Sequence, residues 1–379
     1  MRRLAIIGAS YLQEPLIRKA KEMGYETHVF AWKANDVGEL IADHFYPISI
    51  IEKDEILEVC RSLDLSGICT IASDLAVITV NYVASKLGLP CNSMETTLRS
   101  TNKHLMRDAF ARNGDPSPKS ILVNSVNDLD NVELSFPVIV KPLDRSGSRG
   151  ITKVYKKDQL PEAIGSAMEQ GFEKSALVEE FAEGDEYSVE YISFKGKHHF
   201  LAMTKKYTTG DPHFIETGHL EPAPVNAETL TKVKAVVDHA LNTLGITNGA
   251  SHSEIKIDDD GCIKIIEIGG RMGGDFIGSD LVRISTGIDF VRAVIQVAIG
   301  QEPDLSRVCK PMIAGVRFVF DEEDILVYKK ITETDPSLLV SSEIREIDGE
   351  VSDSSTRFGY YLMASDDMDT MKRYMPREL

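Results

Sequence analysis

Two β-rich runs joined through a single Asp-Gly step constrain this chain more than any other stretch: Ser251 to Ile257, then Cys262 to Gly269, on either side of Asp260-Gly261. Such dipeptides favour a two-residue hairpin loop, which pairs Asp259 with Cys262 and makes facing residue numbers sum to 521. Glu254 then lies opposite Glu267. Their Cβ atoms are ~5 Å apart in that register, where like charges destabilise a sheet unless a cation sits between them. A hard divalent ion such as Mg2+, carrying phosphates of its own, neutralises such a pair. The competing reading is a solvated face relieved by Lys256 and Lys264, because a one-residue slip separates the two glutamates.

Three more segments carry residues suited to phosphate or nucleotide chemistry. Phe136 to Gly150 (FPVIVKPLDRSGSRG) joins an apolar strand ending in Lys141 to a loop rich in Gly, Ser and Arg, able to cradle phosphates through backbone N–H groups and hydroxyls or to serve as a plain flexible hairpin. A lysine closing a branched apolar strand needs an anionic partner. Ala176 to Glu190 (ALVEEFAEGDEYSVE) passes through an acidic turn whose backbone can read an adenine edge and whose carboxylates can accept from ribose hydroxyls; a solvated turn is the bland alternative. Glu267 to Asp275 (EIGGRMGGD) puts a carboxylate, an arginine and four glycines within nine residues. Glycine admits close backbone approach, and a planar guanidinium suits a carboxylate or a developing oxyanion.

The chain opens as a parallel α/β unit: a strand at Leu4 to Ile7, a helix carrying Leu12, Leu16, Ile17, Ala20 and Met23, a strand at His28 to Trp32, and a strand at Ile68 to Ile71 followed by a helix capped by Asp74. Gly8-Ala9-Ser10 is not GxGxxG, which argues against dinucleotide binding there. A capped helix then runs from Asn102 to Gly114, and Asp115-Pro116-Ser117-Pro118 breaks the chain. With 42 Lys+Arg against 59 Asp+Glu, the net charge of −17 excludes extended contact with nucleic acid or an anionic membrane, so an anionic substrate requires a local cationic pocket. Five cysteines without a CxxC pair and no signal-type apolar run after Arg2-Arg3 read as cytoplasmic. The most apolar stretch, Leu281 to Gly300, holds Arg283, Asp289 and Arg292, which excludes a membrane span.

The order of Lys103, Lys141 with its SGSRG loop, EEFAEGDE, and the Glu254 and Glu267 pair with Arg271 resembles the ATP-grasp superfamily of carboxylate-amine ligases, from residue 1 to about 300. The resemblance implies an α/β and α+β ATP-grasp fold with a doubly wound N-terminal (pre-ATP-grasp) domain. The expected divisions are 1–98, an ATP-grasp domain over 99–300 (a lid at about 118–182, a metal and substrate part at about 183–300), and a C-terminal subdomain over 301–379. It also implies the roles. Lys103 and Lys141 would hold ATP phosphates beneath a loop containing Ser146, Gly147 and Ser148. Glu179, Glu180, Phe181 and Ala182 would form the adenine hinge, Glu186 would accept from ribose, and Glu254 and Glu267 would bind Mg2+, with Mn2+ as a substitute. Arg271 and Lys141 would be catalytic. Gly269 departs from the asparagine common in the family's Glu-x-Asn-x-Arg motif, which bears on the second metal.

Within the superfamily, the small residues before Arg271, the Gly-Gly-Asp after it, Glu216-Thr-Gly-His-Leu-Glu-Pro-Ala and His252-Ser-Glu resemble the L-amino acid ligases, or dipeptide synthetases. That implies a substrate region at His219, Arg271, Gly273 and Gly274, although His219 reads equally as a packing strut. The expected activity joins a small-molecule carboxylate, of an amino acid, to an amine with release of ADP and phosphate. Two rivals stand beside it: another ATP-grasp ligase, carboxylating, formylating or attaching an amino acid to a sugar, and a nucleotide-binding regulatory module that has lost turnover. A homodimer and the role of 301–379 are left open.

Overall fold

The computed structural model describes residues 2–130, 132–144, 150–211 and 214–377. Its first sheet is parallel, with β1 (Arg2–Ile7), β2 (Tyr25–Phe30), β3 (His44–Tyr46) and β4 (Leu65–Cys69) in the order β3-β2-β1-β4. The second strand starts earlier than His28 because it runs in step with β1, from Arg2↔Tyr25 to Ile7↔Phe30, and Trp32 beyond it is 63% exposed. Strand order reverses between β1 and β4, so the loops leaving these two strands open a crevice at their carboxyl ends.

The second sheet is antiparallel, β5 (Ser120–Val123), β6 (Val138–Pro142), β7 (Thr152–Val154) and β8 (Ala176–Glu180) in the order β5-β8-β6-β7, with helix Leu160–Gln170 on its apolar face. The third is an eight-stranded antiparallel sheet of β9 (Asp185–Phe194), β10 (Lys197–Thr208), β11 (Glu216–Glu221), β12 (Gly249–Ile257), β13 (Ile263–Gly269), β14 (Ile313–Phe318), β15 (Leu339–Ile344) and β16 (Gly359–Ser365). Its order is β13-β12-β9-β10-β11-β14-β16-β15, so the C-terminal strands continue the sheet that carries Glu254 and Glu267. The apolar stretch before Gly300 is helix Phe290–Ala298, buried at eight of its nine residues because it packs between the first sheet and the large one. That two-sided burial is why its sequence is apolar nearly all round. Among the described residues no helix is long and apolar enough to cross a membrane.

The β12–β13 hairpin corrects one expectation and keeps its consequence. The loop has three residues, not two: the Asp258 carboxylate accepts from the N–H of Asp260 (3.1 Å) and Cys262 (2.8 Å), and Gly261 takes φ 77°. Ile257↔Ile263, Lys256↔Lys264 and Ile255↔Ile265 therefore sum to 520. A bulge then adds one residue, and Glu254↔Glu267 returns to 521. The extra residue is tied down: the Ile266 carbonyl accepts from Arg107 Nη2 at 2.6 Å, and the Ile265 N–H donates to the Pro116 carbonyl at 2.7 Å.

Helix Ala227–Leu244 backs this hairpin, with Val233, Val237, Leu241 and Leu244 fully buried against Ile255, Ile265 and Ile268. Leu241→Ala should lower unfolding stability by about 2–5 kcal/mol, the usual cost of a buried leucine. Urea unfolding checks this, and a change under 1 kcal/mol would show that the helix is not part of the cooperative core.

Candidate functional site

A cleft between the second sheet and the glutamate end of the large sheet gathers Lys103, Lys141, Glu179, Glu180, Phe181, Ala182, Glu186, Glu254, Glu267 and Arg271. Lys103 opens helix Lys103–Asn113, whose N-cap Asn102 accepts from the Leu105 N–H at 3.0 Å. Lys141 is the penultimate residue of β6. Both are at least 90% buried, so both need anionic partners. Lys103 Nζ lies 3.0 Å from Glu267 Oε1, and this pairing outweighs the burial that would otherwise discharge the amine.

The partner of Lys141 is Glu179, at 2.5 Å. Arg107, one turn beyond Lys103 on the same helix face, holds the same carboxylate through Nε (2.9 Å) and Nη2 (3.2 Å). The Glu179 side chain thus anchors two cations, and its main chain lies in the β8 ladder between β5 and β6. The ladder ends at Glu180, which leaves the backbone of Phe181 and Ala182 beside an apolar patch of Pro118, Ile139, Ile151 and Ile266. Burial pushes the Lys141 amine down; Glu179 opposes this, and Arg107 adds to it.

The cleft also holds a cluster of carboxylates, and its organising group is Lys206 on β10. The ammonium sits 2.8 Å from Glu186, 2.8 Å from Glu254 and 3.5 Å from Glu216. Burial disfavours its charge, but three carboxylates hold it well above the usual lysine range. His252, directly before the first glutamate on the same face, donates from one ring nitrogen to Glu190 and lies 3.5 Å from Glu254 through the other. Burial is again outweighed, and its imidazole rises to about 9. Glu254 and Glu267 thus offer hard oxygen donors from facing strand positions, each balanced by its own lysine. That donor set suits Mg2+, which binds through one or two carboxylates and completes its shell with water and phosphate oxygens.

Arg271 is held by a residue from the other end of the chain. Its Nε and Nη2 donate to the two carboxylate oxygens of Asp74 at 2.9 and 3.0 Å. Asp74 is not the helix cap: Ser73 is, accepting from the Ala76 N–H at 3.3 Å, and Asp74 is the first helical residue. Gly269 now has a physical reason. A Cβ there would stand 2.8 Å from Asp74 Oδ1 and 3.2 Å from Arg271 Nε, so any larger residue would push into the pair.

Gly273, Gly274 and His219 fall outside the main cleft. Gly273 donates its N–H to Glu190 Oε2 at 3.0 Å, and Gly273 and Gly274 line a smaller depression with Tyr11, Leu12, Ala72 and Asp275. His219 on β11 is 1% exposed, edge-on to Phe318, and neither ring nitrogen has a hydrogen-bond partner among the described residues. Burial, reinforced by Lys206 and Arg357, keeps it neutral. Ser146, Gly147 and Ser148, with Arg145 and Arg149, lie outside the described residues. Arg107, Lys206 and Asp74 are the functional-site residues that sequence reasoning missed. Arg107 had a signal in its four-residue spacing from Lys103, and Lys206 in being a lysine within an apolar strand.

Glu179 makes acid stability testable. Burial raises its carboxyl, but Lys141 and Arg107 prevail and bring it to about 2 from 4.5. A folded-state value below the unfolded one stabilises fully above the unfolded value and is lost as pH falls through the folded one. On the order of 3 kcal/mol should disappear between about pH 5 and 2. Urea unfolding of wild type should weaken more steeply over that interval than that of Glu179→Gln; parallel slopes would exclude the ion pairs as the cause.

Residues 134–280 match the family model described as "ATP-grasp domain". The alanine–anticapsin ligase of Bacillus amyloliquefaciens is 24% identical over 311 residues, covering 73% of this chain and 65% of that protein. The chain spans 56 to 65% of the length of the first curated relatives it matches. Among solved structures, an L-amino acid ligase from Bacillus licheniformis aligns with a TM-score of 0.81 at 23% identity, over 99% of this chain and 96% of that one. A phosphoribosylglycinamide synthetase from Anaerococcus prevotii aligns with a TM-score of 0.78 at 22% identity, over 98% and 96%. With three sheets and a cleft in the arrangement described above, the chain carries an ATP-grasp domain and has the ATP-grasp fold.

Proposed function

We propose that this chain is an ATP-dependent carboxylate-amine ligase that forms an amide or peptide bond with an amino acid substrate. The observation that carries the reading is that one cleft gathers the buried Lys103 and Lys141, the Glu254 and Glu267 pair from facing strand positions, and Arg271. The likeness to an alanine–anticapsin ligase and to an L-amino acid ligase fold supports the same activity class.

In this reading the apolar patch and the Phe181–Ala182 backbone take the adenine, Glu186 accepts from a ribose hydroxyl, and the two lysines bind phosphate oxygens. Mg2+ held by Glu254 and Glu267 supplies charge neutralisation at the phosphates. The substrate carboxylate oxygen bonds to the γ-phosphorus as ADP leaves, giving an acyl phosphate. An amine nitrogen then attacks the acyl carbon, the carbon–oxygen bond to phosphate breaks, and the nitrogen loses a proton to solvent or to the departing phosphate. Arg271 donates to the oxygen that becomes negative in that addition. Lys103 is compensated by Glu267 and Lys141 by Glu179.

Phosphate release with Mg-ATP over mixtures of amino acids tests the proposal. Glu267→Gln should abolish turnover while the protein remains folded by circular dichroism. Arg271→Ala should cost ~10²- to 10³-fold in turnover, the effect of deleting one oxyanion donor. Near-normal turnover in either variant would remove the role assigned to that residue.

A further inference from the structure

Toward the amino ends of the first sheet's strands, away from the crevice at their carboxyl ends, Glu26, His28 and His44 bring three ligating side chains together. Glu26 and His28 stand two residues apart on β2 and so share one face, and His28 is level with His44 on the edge strand β3. Glu26 Oε1 lies 2.7 Å from His44 Nε2 and 3.9 Å from His28 Nε2, and the three ligand atoms fall within 4.8 Å of one another. Arg3, level with Glu26 on β1, aims the carboxylate: its Nε donates to Oε2 at 3.2 Å, which leaves Oε1 to the histidines. The Glu26–His44 contact by itself reads as an ordinary surface pair. His28 does not fit that reading. Its side chain is 3% exposed, and its Nε2 has no hydrogen-bond partner among the described residues, although it faces Glu26 Oε1 from beyond bonding distance. A polar nitrogen buried without a partner costs free energy, and native folds rarely leave one so.

We infer that Glu26, His28 and His44 bind a borderline divalent transition ion such as Zn2+. Such an ion takes imidazole nitrogens at ~2.0–2.1 Å and carboxylate oxygens at ~2.0–2.2 Å, so neighbouring ligand atoms of a tetrahedral site lie ~3.3 Å apart. The 2.7 and 3.9 Å separations from Glu26 Oε1 bracket that spacing. His44 makes the adjustment: its side chain is 49% exposed, its ring stacks on that of His28 at 4.6 Å and 15°, and turning out of the stack brings its Nε2 lone pair onto the ion. A metal on His28 Nε2 leaves the ring proton on Nδ1, which donates to the Tyr46 hydroxyl oxygen 3.0 Å away, and that bond fixes the ring. Water fills the fourth position from the exposed side. Imidazole ligands suit Zn2+ and disfavour Mg2+, so this site and the paired glutamates of the cleft take different ions. The ion joins β2 to the edge strand β3 and satisfies the buried nitrogen of His28.

Calorimetric titration of the full chain with Zn2+, in excess Mg2+ and without nucleotide, tests the site. Wild type should take up a Zn2+ equivalent that His44→Ala and Glu26→Gln lose or bind at least ~10²-fold more weakly, since changes even in the partners of metal ligands cost up to that much. Zn2+ should raise the Tm of wild type, an excess of chelator should reverse the rise, and His44→Ala should show none. Co2+ in place of Zn2+ reports the ligands: the visible bands of a tetrahedral ion should appear with wild type, vanish in His44→Ala, and lack the near-ultraviolet charge transfer that cysteine thiolates produce. His28→Gln should behave as His44→Ala does; if it does not fold, the variants at the more accessible Glu26 and His44 decide the matter. Absence of Zn2+ binding by wild type, equal binding by wild type and both of those variants, or a thiolate spectrum with Co2+ overturns the inference.

Discussion

Charge taken out of water has to be matched nearby, and this molecule matches it across elements rather than within them. Lys141 on β6 and Arg107 on the helix after Asn102 share Glu179 on β8. Lys206 on β10 gathers carboxylates from β9, β11 and β12, and Arg271 finds its carboxylate about two hundred residues away in the first sheet's last loop. An unpaired partner in any of these would cost several kcal/mol, so the relative placement of the three sheets follows from keeping the pairs intact. The cleft is therefore built as a set of satisfied pairs.

This view gives the glycine at position 269 a meaning opposite to the one it carries in a motif comparison. As a missing asparagine, it argues for a site that has lost turnover. As a residue whose Cβ would stand 2.8 Å from Asp74 Oδ1, it leaves room for the Asp74–Arg271 pair. The support for a purely regulatory reading weakens accordingly.

The C-terminal segment is also clarified by packing. β14, β16 and β15 extend the large sheet edge to edge, and Arg357 stacks on Phe318 and pairs with Asp275 at 2.7 Å, close to the small depression beside the glycine-rich loop. β14 and β16 are buried on both faces, against one cluster around Ala314, Val316 and Leu362 and another around Tyr361, Met363 and Met371, and the exposed strand residues of this segment lie on the edge strand β15.

Local signals determined a good deal without any fold. The N-terminal parallel unit, the helix between Asn102 and Gly114, the strand ending in Lys141, and the glutamates facing each other across β12 and β13 all follow from capping, periodicity and pairing between near neighbours. Even there the hairpin loop length was misread, and only an unsuspected bulge restored the glutamate register. What the tertiary structure alone decided was partnership at long range: the Glu179 side chain as an anchor for two cations, Lys206 as the centre of three carboxylates, and Asp74 as the mate of Arg271. A sequence shows which residues can bear charge. Which of them meet depends on desolvation and packing between segments tens to hundreds of residues apart, and no local rule contains that information.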